Sequence, residues 1–352
     1  MTKFIYEQRQ SKLVFGCSFT RALSGEIPAD TTIRAWIIAS RRFKPLVDAV
    51  NNLKNVQVLE HFSRVLQHVP ADQVQKARHS VAKSGADIII AIGGGSAIGL
   101  AKAVALKHPL PIWAVPTTYS GSEMTDIYGI LSAGRKEVGR DSIVVPGKVF
   151  YDPELSLSLP FDTAAKSAIN ALAHLVEAVY SPGINPFTFQ HSLEGLRIMF
   201  SGLKRLSEEK TLSAAINEKL LLGASFAGKS LSEAEMALHH KLAHVLGGNF
   251  SLDHASVHTV MLPYVFNFQW HSLSDEIRSH FRQIFNTDAP ANLLLNLITS
   301  LNLPSSLKEI GFRKEDSAKA ADIISDLSFN NPAPFTKTDI YELLGKAWDG
   351  KL

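Results

Sequence analysis

Histidines are concentrated in one short stretch of this sequence. Five of its 13 histidines fall within residues 239–258, at His239, His240, His244, His254 and His258. His240 and His244 are four residues apart, as are His254 and His258, so each pair shares one face of a helix. Gly247 and Gly248 lie between the pairs and predict that the first helix ends there, with a second beginning near Leu252.

Neutral imidazole is a common metal ligand and a frequent general acid, so this cluster predicts a functional site. Taken singly, each histidine could equally be a surface residue or a satisfied core residue. The four-residue spacing is similar to the helical zinc motif HExxH, which needs glutamate at its second position. Lys241 occupies that position here, which argues against a zinc protease.

Length and composition favour a two-domain soluble protein. The chain has 352 residues, of which 45% are hydrophobic and 20% charged, and a net charge of +3. No basic run is longer than two residues, as at Arg41-Arg42, so nucleic-acid binding is not expected. The single cysteine, Cys17, excludes an internal disulfide framework and favours a cytoplasmic location. We expect no leader peptide, and no membrane span because glycines and Lys102 interrupt the most apolar run.

Strand and helix signals alternate in the first half of the chain. Short apolar runs predict strands at residues 13–15, 33–39, 56–59, 87–92 and 111–115. Helical periodicity separates several of them, as in a parallel α/β sheet. From residue 159 onward the signals are almost all helical. We therefore predict an α/β domain at residues 1–157 and an all-α domain at residues 158–352.

A glycine-rich loop follows the buried strand at 87–92. Gly93, Gly94, Gly95 and Ser96 lie between that strand and a helix, where backbone N–H groups and the helix dipole attract phosphate. The dinucleotide fingerprint GxGxxG is absent, because its last glycine would fall on Ile98. A tight packing turn is the alternative interpretation.

Hydroxyl-bearing residues follow the next strand. Thr117, Thr118, Tyr119 and Ser120 come directly after the strand at 111–115. The carboxyl end of a parallel strand is where such folds meet their ligands, so these residues are expected near the glycine loop. In the helical half, Asn170 and His174 are four residues apart and share one helix face.

These pieces together resemble the iron-containing (group III) alcohol dehydrogenase family over nearly the whole chain. That family carries a GGGS loop, a Pro-Thr-Thr loop, and an Asp and three histidines as metal ligands. Its three ligand histidines match His174, His240 and His254, while His244 matches a further histidine that the family keeps near the nicotinamide. The family's Asp position holds Asn170 here, which is a departure.

The departure points to one branch of the family. The segments Asn-Ala-Leu-Ala-His-Leu-Val-Glu-Ala, Pro-Thr-Thr-Tyr-Ser-Gly-Ser-Glu-Met-Thr and His-His-Lys-Leu-Ala-His-Val-Leu-Gly-Gly look like the maleylacetate reductase branch. Gly99 replaces the Asp that usually follows GGGS, as in that branch. The resemblance implies a cytoplasmic, homodimeric oxidoreductase that reduces the conjugated C=C of maleylacetate, a small dicarboxylate keto acid, to 3-oxoadipate in aromatic compound degradation.

The resemblance also implies roles for individual residues. Four histidines would stabilise the enolate or supply its proton: His174, His240, His244 and His254. The coenzyme, NADH or NADPH, would lie between the two halves on a set of small residues: Ser40, Gly94, Gly95, Ser96, Thr117, Thr118 and Ser120. Substrate carboxylates are assigned, by residue type and proximity, to a third set: Tyr119, Asn170, Lys241 and His258.

Two expectations concern the coenzyme and the metal. The strand at 33–39 ends in Ser40-Arg41-Arg42, with no acidic residue to repel a 2′-phosphate, so NADPH should be accepted as well as NADH. No metal is expected, because Asn170 offers a neutral amide oxygen where a divalent cation prefers a carboxylate. His174, His240 and His254 are the candidate ligands if a metal is present.

Other functions remain open at this point. A metal-dependent alcohol or glycerol dehydrogenase would share the fold and act on a simple alcohol. A lyase similar to 3-dehydroquinate synthase would recycle its NAD and take a phosphorylated sugar acid. A non-catalytic dinucleotide sensor would bind NAD(H) and turn nothing over.

Overall fold

The structure is a computed structural model that describes Phe4, Tyr6 and residues 11–132 and 135–352. These residues form two compact units: residues 11–159, and residues 160–352 together with Phe4 and Tyr6. The sequence placed the whole N-terminus in the α/β domain. Tyr6 instead belongs to the helical unit, because its ring stacks on Phe187 at 4.9 Å between centroids and its hydroxyl donates to Glu233 Oε1 at 3.2 Å.

The described part of the first unit contains an open parallel sheet and a separate hairpin. Its strands are β1 (Lys12–Phe15), β2 (Ile33–Ala39), β3 (Val56–Phe62), β4 (Ile88–Gly93), β5 (Ile112–Pro116), β6 (Ile127–Ser132), β7 (Arg135–Arg140) and β8 (Lys148–Tyr151). The sheet has the order β1-β8-β5-β4-β2-β3, and β6 pairs with β7 antiparallel. The central strand β4 is buried throughout, as its continuous run of apolar residues requires.

Four helices cover this sheet: α1 (Phe19–Gly25), α2 (Lys44–Asn51), α3 (Ala71–Ser84) and α4 (Gly95–Ala105). On one face, Ile88, Ile90 and Ile92 of β4 pack with Phe19 of α1 and Val47 of α2. Ile89 and Ala91 alternate with them, point to the opposite face and are also buried, so β4 contributes to the layers on both sides of the sheet.

The second unit is helical throughout its described residues. Its helices are α5 (Phe161–Val179), α6 (Pro186–Glu209), α7 (Ala214–Glu233), α8 (Leu238–Asn249), α9 (His254–Trp270), α10 (Asp275–Phe285), α11 (Pro290–Ser300), α12 (Ser317–Ser325) and α13 (Lys337–Asp349). The predicted fold class, an α/β unit followed by an all-α unit, is confirmed. No helix within residues 11–132 and 135–352 is long and apolar enough to span a bilayer.

Helices α8 and α9, which carry the two histidine pairs spaced by four, rest on a common apolar core. Leu242 and Leu246 of α8 and Val257 of α9 share this core with Ala321 of α12 and Leu344 of α13. All five side chains are buried. This packing fixes the two helices side by side, so their histidines can face one space.

The predicted glycine stop in α8 is wrong. The helix continues through Gly247 and Gly248 and ends at Asn249, and Ser251 then takes a left-handed φ of 55°. Neither glycine has a positive φ, so both keep helical backbone at a cost of about 1 kcal/mol each relative to alanine. The second helix begins at His254, where the Asp253 side chain accepts a hydrogen bond from Ser256 N–H.

Candidate active site

Three loops of the α/β unit meet at one edge of its sheet. Ser40 follows β2, Gly94 follows β4 and Thr117 follows β5. Ala39 pairs with Ile92 across the first two strands, and Gly93 pairs with Pro116 across the second and third. The carboxyl ends of these neighbouring parallel strands are therefore level, and the residues predicted to bind the coenzyme lie along one edge.

The glycine loop fits closely against the loop after β5. A Cβ atom on Gly94 would lie 2.7 Å from Thr118 Cγ2, closer than side chains approach, whereas one on Gly95 would lie 3.4 Å from Ser120 Oγ. Gly94 is the N-cap of α4, so the free N–H groups of the first helical turn open onto this loop. Backbone donors, the helix dipole and adjacent hydroxyls make this edge suitable for a phosphate.

Two of the predicted residues in this loop are buried. Thr117 donates its backbone N–H to Gly93 O at 3.0 Å and therefore joins the two loops. Tyr119 has 0% exposed surface, and burial raises the pKa of its phenol above the usual range. The structure thus gives no support to Tyr119 as a residue that contacts substrate.

A buried lysine that carried no predicted role ties α4 to the loop after β5. Lys102 Nζ donates to Ser122 O at 2.6 Å, Thr125 O at 2.7 Å and Ile127 O at 3.0 Å. Burial lowers the pKa of Lys102 to about 7, while the nearby Glu123 carboxyl opposes that shift. Because α4 carries the glycine loop at its other end, Lys102 holds both parts of this edge in register.

In the helical unit, histidines from three helices come together. His174 of α5 stacks on His240 of α8 with ring centroids 4.8 Å apart, and His240 lies 4.9 Å from His258 of α9. His254 is 4.5 Å from His258 and 5.7 Å from His244. The structure therefore brings together all four histidines that were predicted to be catalytic, as the four-residue spacings indicated.

Glu177 is a member of this cluster that the sequence did not single out. It lies three residues after His174 on α5, and its carboxyl group meets the start of α8. Glu177 Oε1 accepts the backbone N–H of His239 at 2.8 Å, and Glu177 Oε2 bonds to Nδ1 of His240. The carboxyl group thus caps a helix whose first N–H groups have no partner within the helix.

Burial keeps the charges in this cluster low. It raises the pKa of Glu177 to about 8 and lowers the pKa of His240 well below its usual value. The pair consequently holds one proton between Oε2 and Nδ1 at neutral pH, and Nε2 of His240 bears a hydrogen in either arrangement. Burial also lowers the pKa of His174 to about 3, so that ring stays neutral.

Buried polar atoms of this cluster that have no hydrogen-bond partner within the described residues include Asn170 Oδ1, His174 Nδ1 and His240 Nε2. Leaving such atoms unsatisfied costs about 1–3 kcal/mol each, which is unusual outside functional sites. A small polar ligand with donors and acceptors would satisfy them.

His258 is enclosed by other histidines. Its Nδ1 lies 2.9 Å from His239 Nε2, and its Nε2 lies 3.1 Å from His254 Nε2. Both ring nitrogens are engaged and the residue has 0% exposure, so the structure does not support His258 as a ligand of a substrate carboxylate.

Lys241 and His244 lie on other parts of α8. Lys241 Nζ is 5.7 Å from the centre of the Phe329 ring, and its assignment to a substrate carboxylate stays a prediction. His244 is exposed and His254 is half-buried, whereas His174, His239, His240 and His258 are buried. His244 and His254 are thus the members of the cluster that retain contact with solvent.

Two family models match the chain. The model described as "Iron-containing alcohol dehydrogenase" matches residues 10–153, and the model described as "Fe-containing alcohol dehydrogenase family, C-terminal" matches residues 164–348. The chain belongs to the iron-containing alcohol dehydrogenase family. This confirms the resemblance that the glycine loop and the histidine spacing indicated.

Within this family the chain is similar to proteins named maleylacetate reductase. One from Burkholderia cepacia is 37% identical over 350 residues, which cover 99% of each chain. The solved maleylacetate reductase of Agrobacterium tumefaciens is 31% identical with a TM-score of 0.93, covering 100% of this chain and 99% of that one. The structure from Rhizobium sp. strain MTP-10005 is 32% identical with a TM-score of 0.92 and covers 100% and 99%.

Proposed function

We propose that the protein reduces the conjugated C=C bond of maleylacetate to give 3-oxoadipate, with NADH or NADPH as the hydride donor. The observation that carries the proposal is the buried imidazole cluster, in which Asn170 Oδ1, His174 Nδ1 and His240 Nε2 have no hydrogen-bond partner among the described residues. The full-length similarity to maleylacetate reductases supports the same conclusion. The proposed reaction is that of an oxidoreductase, as the family membership implies.

The proposed chemistry needs hydrogen-bond donors more than it needs a base. Hydride from the reduced nicotinamide adds at the carbon β to the ketone, and the electron pair of the C=C bond moves to form an enolate. The oxyanion then accepts hydrogen bonds, for which the Nε2–H group of His240 is already held in place by Glu177. A proton added at the α carbon completes the ketone, and the nicotinamide leaves oxidised.

An iron ion does not fit the donors present. Asn170 contributes an uncharged amide, His240 Nε2 bears a hydrogen, and His254 Nε2 lies against His258 Nε2 at 3.1 Å. No group of three or more His, Cys, Asp or Glu side chains within residues 11–132 and 135–352 is arranged to hold a metal. The family description nevertheless names iron, so it gives no support to the expectation that a metal is dispensable. We propose metal independence on the donor set alone.

Removal of metal should therefore leave maleylacetate reduction intact. Dialysis against a strong chelator, followed by metal analysis and assay, should give metal-free protein with kcat within about twofold of the starting value. Activity that is lost with the metal and restored by zinc or iron(II) would overturn the proposal. Asn170→Asp should then also tighten the metal.

The proton shared by Glu177 and His240 predicts a pH dependence. Burial raises the pKa of Glu177 to about 8, so the pair is protonated below that pH and loses its proton above it. His240 would then donate Nδ1–H to the carboxylate and present a bare Nε2 to the enolate. We expect kcat to fall as pH rises through about 8. In Glu177→Gln the amide donates to Nδ1 at every pH, so this decline should disappear from the kcat profile; its persistence would contradict the assignment.

The coenzyme phosphate should be recognised by Arg41. Both arginines after β2 are exposed, but the Arg42 guanidinium lies 4.5 Å from the centre of the Phe43 ring, which leaves Arg41 as the better partner for a 2′-phosphate. We expect kcat/KM for NADH to exceed that for NADPH by less than about 100-fold. Arg41→Ala should lower kcat/KM for NADPH about tenfold, roughly 1.4 kcal/mol, and leave NADH unaffected, with Arg42→Ala as the matched control. An equal loss for both coenzymes would refute this role.

A substrate panel separates the proposed reaction from the alcohol dehydrogenase alternative. Coenzyme oxidation with maleylacetate should be rapid, whereas simple alcohols, glycerol and simple aldehydes should give little turnover with either coenzyme. The reverse pattern, with dependence on added metal, would support the alternative. We also propose, on the resemblance alone, a homodimer that works in the cytoplasm, which light scattering and the location of a tagged copy would test.

A further inference from the structure

Three histidine rings form a continuous hydrogen-bonded chain through the helical unit. His239 Nε2 lies 2.9 Å from His258 Nδ1, and His258 Nε2 lies 3.1 Å from His254 Nε2. His239 and His258 are buried, at 1% and 0% exposure, and His254 is half-buried. The chain therefore runs from the interior of the unit to a residue with solvent contact.

Only two arrangements of the protons satisfy both bonds. His239 and His258 are both buried, and an imidazole removed from water favours its neutral form, so each ring carries one N–H. If His258 donates from Nε2, His239 must donate to it and His254 must accept at Nε2. If His258 donates from Nδ1, His254 must donate to it and His239 must accept.

The inner end of the chain distinguishes the two arrangements. His239 Nδ1 is buried and has no hydrogen-bond partner among the described residues. The second arrangement would place the His239 proton on that atom, and buried N–H groups without an acceptor are rare in proteins. His239 also lies in the first turn of α8, where the positive end of the helix dipole favours a lone pair over an N–H.

We propose that His239 donates to His258 and that His258 donates to Nε2 of His254, so that His254 carries its proton on Nδ1 and acts through that atom. His239 and His258 are then positioning residues, since neither needs to touch the substrate.

The consequence for catalysis rests on the proposed function. An Nδ1–H group on His254 would offer a second hydrogen bond to an anionic oxygen of the substrate, besides that of His240 Nε2–H. It also means that the Nε2 lone pair of His254 is occupied by His258. At metal sites, removal of the groups that orient a ligating histidine usually costs about 10–100-fold in affinity or activity. We expect a loss of similar size in kcat when the partners of His254 are removed.

The tautomer can be read directly by NMR. Protein labelled with ¹⁵N-histidine, with signals assigned from single His→Gln variants, reports for each ring nitrogen whether it bears a hydrogen. We expect His254 to show a protonated Nδ1 and an unprotonated Nε2, and His258 the opposite, at pH 7 without substrate. A protonated Nε2 on His254 in the unmodified protein would overturn the proposal.

Variants test the positioning role. His258→Leu should move the His254 proton towards Nε2 and lower kcat for maleylacetate at least tenfold with KM changed less than about threefold, whereas His258→Gln, which can still donate, should restore part of kcat. His79→Leu, at an exposed position of α3, is the control and should change neither the His254 tautomer nor kcat. An unchanged His254 tautomer in a folded His258→Leu protein would refute the role. If the protein gives the predicted spectrum but does not turn over maleylacetate, the proposed function is contradicted and the proposed tautomer of His254 is supported.

Discussion

Replacing His244 with alanine should lower kcat for maleylacetate reduction about 100-fold or more, the largest loss among the cluster histidines. His244 is exposed and its ring lies 5.7 Å from that of His254, whereas His174 and His240 are buried and burial lowers the pKa of both. A residue that delivers a proton in each turnover must regain it from solvent, which an exposed imidazole can do. Loss of a general acid typically costs about 10²–10⁴-fold in rate.

The kinetic pattern separates this role from a structural one. His244→Ala should lower kcat while the KM for NADH stays within about threefold, and melting should be unchanged because an exposed side chain contributes little to stability. His79→Ala, another exposed helical histidine, is the matched control. His240→Ala and His254→Ala should lose activity to a smaller extent. A His244→Ala enzyme with nearly full kcat would show that the proton comes from elsewhere.

Gly95→Val should raise the KM for the coenzyme about tenfold or more, which corresponds to about 1.4 kcal/mol of lost binding. The branched side chain would project where a phosphate must approach the N–H groups at the start of α4. This position suits the test because a Cβ there would lie 3.4 Å from Ser120 Oγ, an ordinary contact. Gly94 does not, because its Cβ would collide with Thr118 and disturb the loop itself.

The matching control for this substitution is Gly147→Val. Gly147 is an exposed residue of the same unit, and its Cβ would meet no atom within 4 Å. The KM for the coenzyme should be unchanged in Gly147→Val. Direct titration with NADH should likewise show weaker binding by Gly95→Val than by Gly147→Val. An unchanged KM in a folded Gly95→Val protein would refute the placement of the pyrophosphate on this loop.

Local signals were sufficient to predict both halves of the fold and the edge where the loops meet. A continuous apolar run reports a strand buried on both faces, and β4 matches its predicted range to within one residue at each end. Parallel strands end at a common edge, so the closeness of Gly94, Thr118 and Ser120 followed from their positions after strands. The four-residue spacing of each histidine pair likewise predicted that the pair shares one helix face, because that relation depends only on helix geometry.

The glycine pair in α8 shows where local signals fail. Gly247-Gly248 has the composition of a helix stop, but packing of Leu242 and Leu246 against α9, α12 and α13 extends the helix to Asn249. Tertiary contacts therefore outweigh a cost of about 1 kcal/mol per glycine.

Contacts between distant segments could not be predicted from the sequence. Glu177 stood within a motif that was already notable, yet nothing local indicates that its carboxyl group caps α8 and bonds to His240. His258 was predicted to bind a substrate carboxylate, but its ring nitrogens instead bond to His239 of α8 and to His254 of its own helix. Contacts of this kind depend on how the helices pack against one another, and the spacing of residues along the sequence does not give that information.

The most direct test of the proposed function measures coenzyme oxidation and product formation in the same reaction mixture. Purified protein is mixed with freshly prepared maleylacetate and NADH, and in parallel with NADPH, while coenzyme oxidation and 3-oxoadipate are measured together. We expect one 3-oxoadipate to form for each coenzyme oxidised, and we expect metal-free protein to behave in the same way. A folded protein that binds NADH or NADPH yet forms no 3-oxoadipate with either coenzyme would contradict the proposed function.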